Sequence, residues 1–383
     1  MNKKNFFNNT RLVHHLYDPW SHYGFINPPV FRGSTVLFTD AETMERGKQA
    51  YTYGIHGTPT TDVLCHAIND LEGAAKTVLV PSGLAGITVA LLGTLFAGDH
   101  LLMIDTVYHP TRCFANNMLK NLGIEVEYYR PGAVLEKLLR SNTRVVFAES
   151  PGSNTFEMSD ISAMVVAAHR IGALVMMDNT WATPLYFRPL DHGVDISIQA
   201  ATKYLAGHSD VLLGTISANE KYAHLIDNAH RLLGMSVPGE DVYLTLRGLR
   251  TLNLRLEHQQ KTALALARWL ETCPEIDKVL YPALESSPGH QLWKRDFTGA
   301  SAIFSIVLKK GGKREAYSFL DHLKLFGLGY SWGGFESLAV HVNLADRTVS
   351  RTDYPGPVLR LQIGIEDFHD LKEDIITALQ SIR

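Results

Sequence analysis

Between residues 77 and 217, short apolar runs alternate with helical patterns, and this alternation limits the folds open to the chain. Strands separated by helices form a mostly parallel sheet that is covered on both faces. The sequence therefore predicts an α/β fold with a seven-stranded sheet. The predicted strands are Thr77–Val80, Leu101–Ile104, Glu125–Tyr129, Arg144–Ala148, Ala173–Met177, Asp195–Ile198 and Val211–Ile216. The predicted helices between them include Ala85–Leu95, Thr111–Leu122 and Ile161–Arg170.

The pattern changes on both sides of this region, which predicts three parts. Residues 1–55 lack sustained periodicity and are typical of an arm held by another element, such as a second subunit. Residues 56–245 form the predicted large domain, and residues 246–383 form a smaller α+β domain. One long helix over Glu240–Leu270 is expected to connect the two domains. The smaller domain is predicted to contain strands Ser301–Leu308 and Val358–Ile363 and helices Lys313–Leu323 and Asp367–Ile382.

Composition excludes several classes of protein. The 383 residues carry a net charge of −3, so nothing favours binding to nucleic acid or to an anionic membrane. The longest apolar stretch, Ile87–Ala97, is too short to span a bilayer, and no signal peptide is visible. Cys65, Cys113 and Cys273 are widely separated, which argues against a disulfide framework and indicates the cytoplasm. No histidine pair has metal-ligand spacing, so we expect no metal site.

Asp178 and Lys203 are the residues that most strongly suggest chemistry. Each follows an apolar run at a predicted strand end, where α/β sheets bind ligands. A lysine that can form an imine, facing a carboxylate that can hold a pyridinium nitrogen, is the equipment of a pyridoxal phosphate enzyme. An ion pair at the sheet edge is the alternative interpretation of the same two residues.

Three further segments suggest contacts to the same cofactor. A small-residue turn containing Gly83 joins a predicted strand to a helix, and helix N-termini bind phosphate through free N–H groups. The hydroxyl of Thr202, next to Lys203, is a second candidate for the phosphate. Tyr108 follows a predicted strand, so its ring could stack on a flat cofactor or could cap the core.

The predicted small domain contains two more candidates for functional residues. Arg360 lies in an apolar strand, where an unpaired cation is costly, and its planar fork matches a carboxylate. A structural ion pair would explain the arginine equally well. The segment Tyr330–Leu338 mixes aromatic residues, glycines and a glutamate, which is typical of a functional loop.

With these residues in place, the sequence resembles the Cys/Met-metabolism family of pyridoxal phosphate enzymes from about Thr35 to its end. Within the family it is most similar to the bacterial branch that cleaves the Cβ–S bond of cystathionine. The matching motifs are Tyr53-Gly-Ile-His-Gly-Thr-Pro-Thr60, Glu149-Ser-Pro151, Asp178-Asn-Thr-Trp181, Ala201-Thr-Lys-Tyr204, Gly207-His208, Ser331 to Leu338 and Leu359-Arg-Leu361.

The resemblance implies a fold-type-I PLP-dependent transferase architecture and a homotetramer built as a dimer of catalytic dimers. It implies α,β-elimination of L-cystathionine to L-homocysteine, pyruvate and ammonia, a step of methionine biosynthesis. A γ-lyase or γ-synthase of the same family is the alternative, because acid–base placement decides between the reactions. A regulator that binds the cofactor without turnover is a further alternative.

The resemblance also implies roles for individual residues. Lys203 carries the cofactor, Asp178 binds its pyridinium nitrogen, and Tyr108 stacks on its ring. The amides of Gly83 and Leu84 and the Thr202 hydroxyl bind the phosphate. Tyr53 reaches the cofactor of the neighbouring subunit, and Lys203, Tyr108 or Tyr53 moves the Cα proton. The implied substrate-binding residues are Arg360, Ser331 and Trp332.

The sequence departs from the family at Ile55, where an arginine usually grips the phosphate across the subunit interface. Either His56 or another group compensates, or the cofactor is held less tightly. Ala200 and Ser153 replace a serine and an asparagine found in many members, and both replacements suit the β-lyase branch.

Overall fold

The large sheet confirms the predicted α/β class. The computed structural model describes residues 6–14 and 17–382. Seven strands form one sheet in the order β1-β7-β6-β5-β4-β2-β3, and only β7 runs antiparallel to its neighbours. The strands are β1 Lys76–Val80, β2 His100–Ile104, β3 Glu125–Tyr129, β4 Thr143–Glu149, β5 Leu174–Asp178, β6 Ile196–Gln199 and β7 Gly214–Ala218.

Strands β2, β6 and β7 are buried at every position, as expected for strands covered on both faces. Because β7 reverses direction, β1 points the same way as the five parallel strands beyond it. The carboxyl ends of β1, β6, β5, β4 and β2 therefore meet along one edge, where the connecting turns place their side chains together.

Thirteen α-helices are present in the described residues. They are α1 Asn8–His14, α2 Ala41–Arg46, α3 Pro59–Glu72, α4 Gly83–Leu92, α5 His109–Phe114, α6 Ile161–Arg170, α7 Thr183–Tyr186, α8 Ala223–Leu232, α9 Gly239–Leu249, α10 Leu252–Leu270, α11 His290–Asp296, α12 Lys313–His322 and α13 Phe368–Gln380. Helix α4 follows β1 directly and packs on β7 and β6, while α6 packs on β5.

A second sheet lies in the C-terminal part, in the order β10-β11-β12-β9-β8. Its strands are β8 Ile276–Leu280, β9 Ile303–Leu308, β10 Gly327–Leu328, β11 Leu338–His341 and β12 Val358–Gln362. The sequence predicted β9, β12, α12 and α13 but missed the short strands β8, β10 and β11. One hydrophobic core includes residues of both sheets, and the division at residues 245 and 246 stays a prediction.

The predicted single helix over Glu240–Leu270 is wrong, because the chain turns at Arg250 and Thr251 between α9 and α10. The Gly248 carbonyl accepts hydrogen bonds from the Thr251 N–H at 3.1 Å and from Arg255 Nη2 at 2.8 Å. Arg255 Nη2 also donates to the Tyr204 carbonyl at 2.9 Å. The interruption therefore anchors both helices to the turn that follows β6.

The predicted helix Thr111–Leu122 is also interrupted. Helix α5 ends at Phe114, a π-helical segment covers Ala115–Leu119, and a 3₁₀ turn covers Lys120–Leu122. Helical periodicity was correct for the segment as a whole, but apolar spacing does not distinguish these hydrogen-bond patterns.

The arm is more regular than expected, because it includes α1, α2 and a 3₁₀ turn at Pro19–His22. Large side chains of the arm remain in contact with solvent: Trp20 is 86% exposed, Tyr23 98% and Leu37 86%. Among residues 6–14 and 17–382, no helix combines the length and apolar character needed to cross a membrane.

Candidate active site

A cavity of about 200 Å³ lies where the strand ends of the large sheet face the second sheet. Its walls include nearly all the residues that the sequence singled out as a cofactor site. The predicted residues that line it are Gly83, Leu84, Tyr108, Asp178, Thr202, Lys203, Trp332 and Arg360. Six separate segments of the chain thus converge on one space.

Lys203 lies in the turn after β6, and its amine points toward the second sheet. Nζ donates a hydrogen bond to Ser331 Oγ at 2.7 Å and lies 5.3 Å from the centre of the Trp332 ring. Burial and, to a smaller extent, the nearby positive charge of Arg360 lower the pKa of the amine to about 8, against an opposing effect of the Asp178 charge. Lys203 and Asp178 form no ion pair, so the simple structural interpretation of the two residues is wrong.

Asp178 ends β5, and its carboxylate is held in a fixed direction. The Thr180 N–H and hydroxyl both donate to Oδ1, at 3.0 Å and 2.5 Å. The Thr180 oxygen in turn accepts the Ala200 N–H at 2.9 Å. Burial raises the pKa of Asp178, while the bonds from Thr180 and the charge of Lys203 oppose that rise. The carboxylate is therefore oriented from one side, and its second oxygen remains available to a ligand.

The N-terminus of α4 forms another wall of the cavity. Ser82 caps the helix by accepting the Ala85 N–H at 3.0 Å. The N–H groups of Gly83 and Leu84 have no acceptor within the described ranges of the chain. A Cβ atom at Gly83 would lie 2.5 Å from the Cβ of Ala200, so only glycine allows this approach. Two free donors at a helix N-terminus suit a phosphate group.

Thr202 lines the same wall, but its hydroxyl is already engaged. It donates to the Leu213 carbonyl at 3.2 Å and accepts the Leu213 N–H at 3.0 Å. The residue therefore fixes the turn that carries Lys203, and an added ligand would share its oxygen.

Tyr108 lies at the N-terminus of α5 with 44% of its surface exposed, so it does not cap the core. Its N–H donates to Glu149 Oε2 at 2.8 Å. Glu149 ends β4 directly beside Asp178 in the parallel register. Burial raises the pKa of Glu149 well above its ordinary value, and the adjacent Asp178 charge raises it further. Glu149 was expected only as part of a family motif, although its position directly after a predicted strand was a usable signal.

Arg360 reaches the cavity from β12 in the second sheet. Nη1 donates to Asn154 Oδ1 at 3.1 Å, and Nη2 donates to the Tyr330 carbonyl at 2.7 Å. Within the described ranges no carboxylate pairs with this guanidinium, so the ion-pair interpretation of Arg360 is wrong. Burial lowers its pKa to about 10, and the residue stays cationic at neutral pH. Asn154 is a contact that the sequence did not indicate.

Tyr53 is not brought to this cavity within one chain. It is 49% exposed and lines a separate cavity of about 490 Å³ together with Ile55 and His56. Within the described residues, no group of three or more His, Cys, Asp or Glu side chains could hold a metal ion.

Comparisons with known proteins agree with this geometry. The model of the Cys/Met metabolism PLP-dependent enzyme family matches residues 9–380. A Rhizobium johnstonii protein with a provisional cystathionine beta-lyase name is 60% identical, over 96% of this chain and 94% of its own. Cystathionine beta-lyase MetC of Escherichia coli is 42% identical, over 92% of this chain and 93% of its own. An L-alanine/L-glutamate racemase of Wolbachia pipientis is 41% identical over 93% of each chain.

A solved structure of a related enzyme has the same fold. The cystathionine gamma synthase of Xanthomonas oryzae in complex with cystathionine superposes with a TM-score of 0.92, at 31% identity and over 98% of each chain. Pyridoxal 5′-phosphate fits the cavity in chemical terms. The cavity offers an amine at Lys203, an oriented carboxylate at Asp178 and two free N–H donors at the start of α4.

Proposed function

The chain belongs to the Cys/Met metabolism PLP-dependent enzymes, and we propose that it cleaves the Cβ–S bond of L-cystathionine to give L-homocysteine, pyruvate and ammonia. The observation that carries this proposal is the shared cavity. It combines the amine of Lys203, the carboxylate of Asp178 and the uncompensated guanidinium of Arg360. An amino acid bound by its carboxylate at Arg360 would have its Cα within the space that Lys203 faces.

Pyridoxal 5′-phosphate is the cofactor of this family, and when bound it supplies an electron sink for the charge left at Cα. We propose that Lys203 Nζ attaches it covalently and that Asp178 keeps its ring nitrogen protonated. The oriented carboxylate supports this role, since Thr180 donates two hydrogen bonds to Oδ1 that favour the ionised form and oppose the rise of the Asp178 pKa on burial.

One wall of the cavity, called here the large-domain wall, consists of the turns at the strand ends of the seven-stranded sheet. It provides candidates for the phosphate and the ring. We propose that the free N–H groups of Gly83 and Leu84 bind the phosphate, aided by the dipole of α4. Thr202 adds a hydroxyl that is positioned by Leu213. Tyr108 supplies an aromatic face, and its backbone is held by Glu149.

The second sheet provides the substrate side. Arg360 would bind the α-carboxylate, because a planar guanidinium matches two carboxylate oxygens. Ser331 holds Nζ of Lys203 at 2.7 Å, and Trp332 lies against the same amine. These contacts hold the Lys203 amine in the cavity into which Arg360 would bring the substrate.

The proton at Cα must be removed before the Cβ–S bond breaks. Lys203 is the base that we favour, because burial and Arg360 lower its pKa to about 8 and so increase the neutral fraction of a free amine. The hydroxyls of Tyr108 and Tyr53 are the alternative proton carriers. The thiolate of homocysteine then leaves from Cβ.

We propose that Tyr53 acts in the cavity of a second copy within a homotetramer. Two observations support an assembly. Tyr53 is half exposed and remote from Lys203 in its own chain, and the arm presents exposed Trp20 and Leu37. The three cysteines are free, which supports the cytoplasm as the location.

Product identification tests the proposed reaction. The purified protein with its cofactor is incubated with L-cystathionine, and the keto acid and thiol are identified. We expect pyruvate and homocysteine. Release of 2-oxobutyrate and cysteine would instead indicate γ-elimination, and absence of any keto acid from sulfur amino acids would indicate a regulator without turnover.

A racemase is the second candidate, favoured by the 41% identical L-alanine/L-glutamate racemase. It requires proton transfer at both faces of Cα without loss of a group from Cβ. Incubation with L-alanine followed by chiral analysis measures this reaction directly. Formation of D-alanine at a rate exceeding cystathionine cleavage would replace the lyase proposal.

A further inference from the structure

Asn154 lies beside the carboxylate-binding arginine, on a turn of the large-domain wall, and nothing in the comparisons assigns it a role. We propose that Asn154 is a positioning residue that aims the guanidinium of Arg360 at the substrate carboxylate and shares in binding it. The inference rests on the proposed function, because it presumes an amino-acid substrate.

The contacts of Asn154 form a closed link between the two walls of the cavity. Its side-chain Oδ1 accepts a hydrogen bond from Arg360 Nη1 at 3.1 Å. Its main-chain oxygen accepts the Ser305 hydroxyl at 2.6 Å. Ser305 on β9 is the register partner of Arg360 on β12. The paired strands β9 and β12 thus contact Asn154 twice. Ser305 of β9 holds its backbone, and Arg360 of β12 contacts its side chain.

The backbone of Asn154 is also fixed from the large-domain side. Its φ of 68° lies in the left-handed region, which asparagine tolerates better than most residues. The preceding Ser153 donates its N–H to the Thr106 carbonyl at 2.7 Å, and its own carbonyl accepts Arg347 Nη2 at 2.9 Å. Arg347 is only 4% exposed, so the turn is held by a buried side chain.

The orientation of the amide follows from the chemistry of its partner. A guanidinium only donates hydrogen bonds, so the oxygen of Asn154 must face Arg360. The Nδ2 group finds no acceptor within the described ranges of the chain, while Asn154 itself lines the cavity. Arg360 and Asn154 together therefore present a charged donor and a neutral donor, which suits the two oxygens of a carboxylate.

Two substitutions test the role without introducing backbone strain, because aspartate and glycine both accept a positive φ. Asn154→Asp places a carboxylate on Arg360 and should raise KM for L-cystathionine by roughly 10- to 100-fold, the range for a lost charge-assisted hydrogen bond. Asn154→Gly removes the amide and should raise KM by roughly 3- to 10-fold, less than Asn154→Asp because it adds no charge that repels the substrate carboxylate. In both variants kcat should change much less than KM.

A binding measurement separates the inference from the reaction itself. Propionate carries the carboxylate but no amine, and propionamide is its uncharged counterpart. We expect propionate to raise the thermal unfolding temperature of the cofactor-bound wild-type protein more than propionamide does. The difference should shrink in Asn154→Gly and vanish in Asn154→Asp, while cofactor absorption stays unchanged.

Serine variants provide a matched control. Ser305→Ala removes the hydroxyl that holds Asn154, and Ser318→Ala removes a small-domain hydroxyl bonded to the Ser381 carbonyl outside the cavity. Only Ser305→Ala should raise KM. Wild-type propionate binding in Asn154→Asp, or a fall in kcat with unchanged KM, would overturn the inference. If wild-type protein instead binds propionate but makes no pyruvate from L-cystathionine, the proposed function fails while the carboxylate site stands.

Discussion

The two walls of the cavity are built in different ways. The large-domain wall consists of turns at neighbouring strand ends of one sheet, so Gly83, Asp178 and Lys203 are positioned by the sheet itself. The second wall carries Ser331 and Arg360, which are distant in sequence and meet Lys203 and Asn154 of the large-domain wall through side-chain contacts across the cavity. The difference teaches that the large sheet alone fixes the residues proposed to hold the cofactor, whereas the residues proposed to bind the substrate are fixed by contacts between the two walls.

The largest effect should come from the large-domain wall. Lys203→Ala removes both the proposed attachment point of the cofactor and the proposed base, and proton transfer alone contributes roughly 10²- to 10⁴-fold. We expect kcat/KM for L-cystathionine to fall by at least about 10³-fold, measured by pyruvate release. Lys221→Ala is the matched control, since that lysine lies on the surface near Tyr222. Substantial steady-state lyase activity in Lys203→Ala would contradict the assigned role.

Asp178→Asn should have the next largest effect. The amide keeps the shape of the side chain but cannot hold a proton on the ring nitrogen, so the electron sink weakens. We expect roughly a 10²-fold loss of kcat, with cofactor still bound as judged by absorption, as for loss of a buried charged partner. A variant that keeps wild-type kcat would remove Asp178 from the mechanism.

The large-domain wall is predictable from the sequence because a residue at a strand end can be located from the periodicity alone. Asp178 and Lys203 follow apolar runs whose ends were predicted within about two residues, which is good for such patterns. The long helix over Glu240–Leu270 was not correctly predicted, because Thr251 and Arg255 break it through contacts with Gly248 and Tyr204 that only the fold creates.

The second wall was less predictable, because its contacts also form only when distant parts of the chain fold together. Arg360 was noticed as a cation in an apolar strand, but its partner Asn154 is 206 residues away in the chain. Ser331 and Trp332 were inferred only from the family resemblance, since no local pattern specifies a contact with Lys203. Strands β8, β10 and β11 also lack a clear period in the sequence.

Arg360→Lys tests the difference between the two walls, because it alters the second wall while keeping a positive charge at position 360. Lysine lacks the planar fork that matches two carboxylate oxygens. We expect KM for L-cystathionine to rise by roughly 10- to 100-fold with a smaller change in kcat, from steady-state kinetics. A large drop in kcat at constant KM would instead place Arg360 among the groups that act on the reacting bonds.

The pH dependence of cofactor attachment tests the environment of Lys203. Burial and Arg360 lower its pKa to about 8, and only the neutral amine attacks an aldehyde. In cofactor-free protein at fixed cofactor concentration, the attachment rate should rise about tenfold per pH unit below pH 8 and level off above it. Absorption of the bound cofactor reports the rate. A rise that continues to the ordinary lysine range would contradict a buried amine.

The smallest expected signal concerns the arm. If Tyr53 completes the cavity of a second copy, Tyr53→Ala and Lys203→Ala are each inactive alone but complement each other when mixed. After subunit exchange in an equal mixture, about one quarter of all cavities should contain both native residues, given random pairing in symmetric dimers. Recovery of pyruvate release near that fraction supports the shared cavity, and no recovery despite proven exchange would place Tyr53 outside it.

The central claim is that Lys203 is the point at which the chain holds its cofactor. The cofactor-bound protein is treated with borohydride, which reduces a carbon–nitrogen double bond to a stable single bond, then digested and examined by peptide mass spectrometry. We expect the cofactor mass on the peptide containing Lys203 and on no other lysine. Attachment to a different lysine, or no stable attachment despite bound cofactor, would contradict the account.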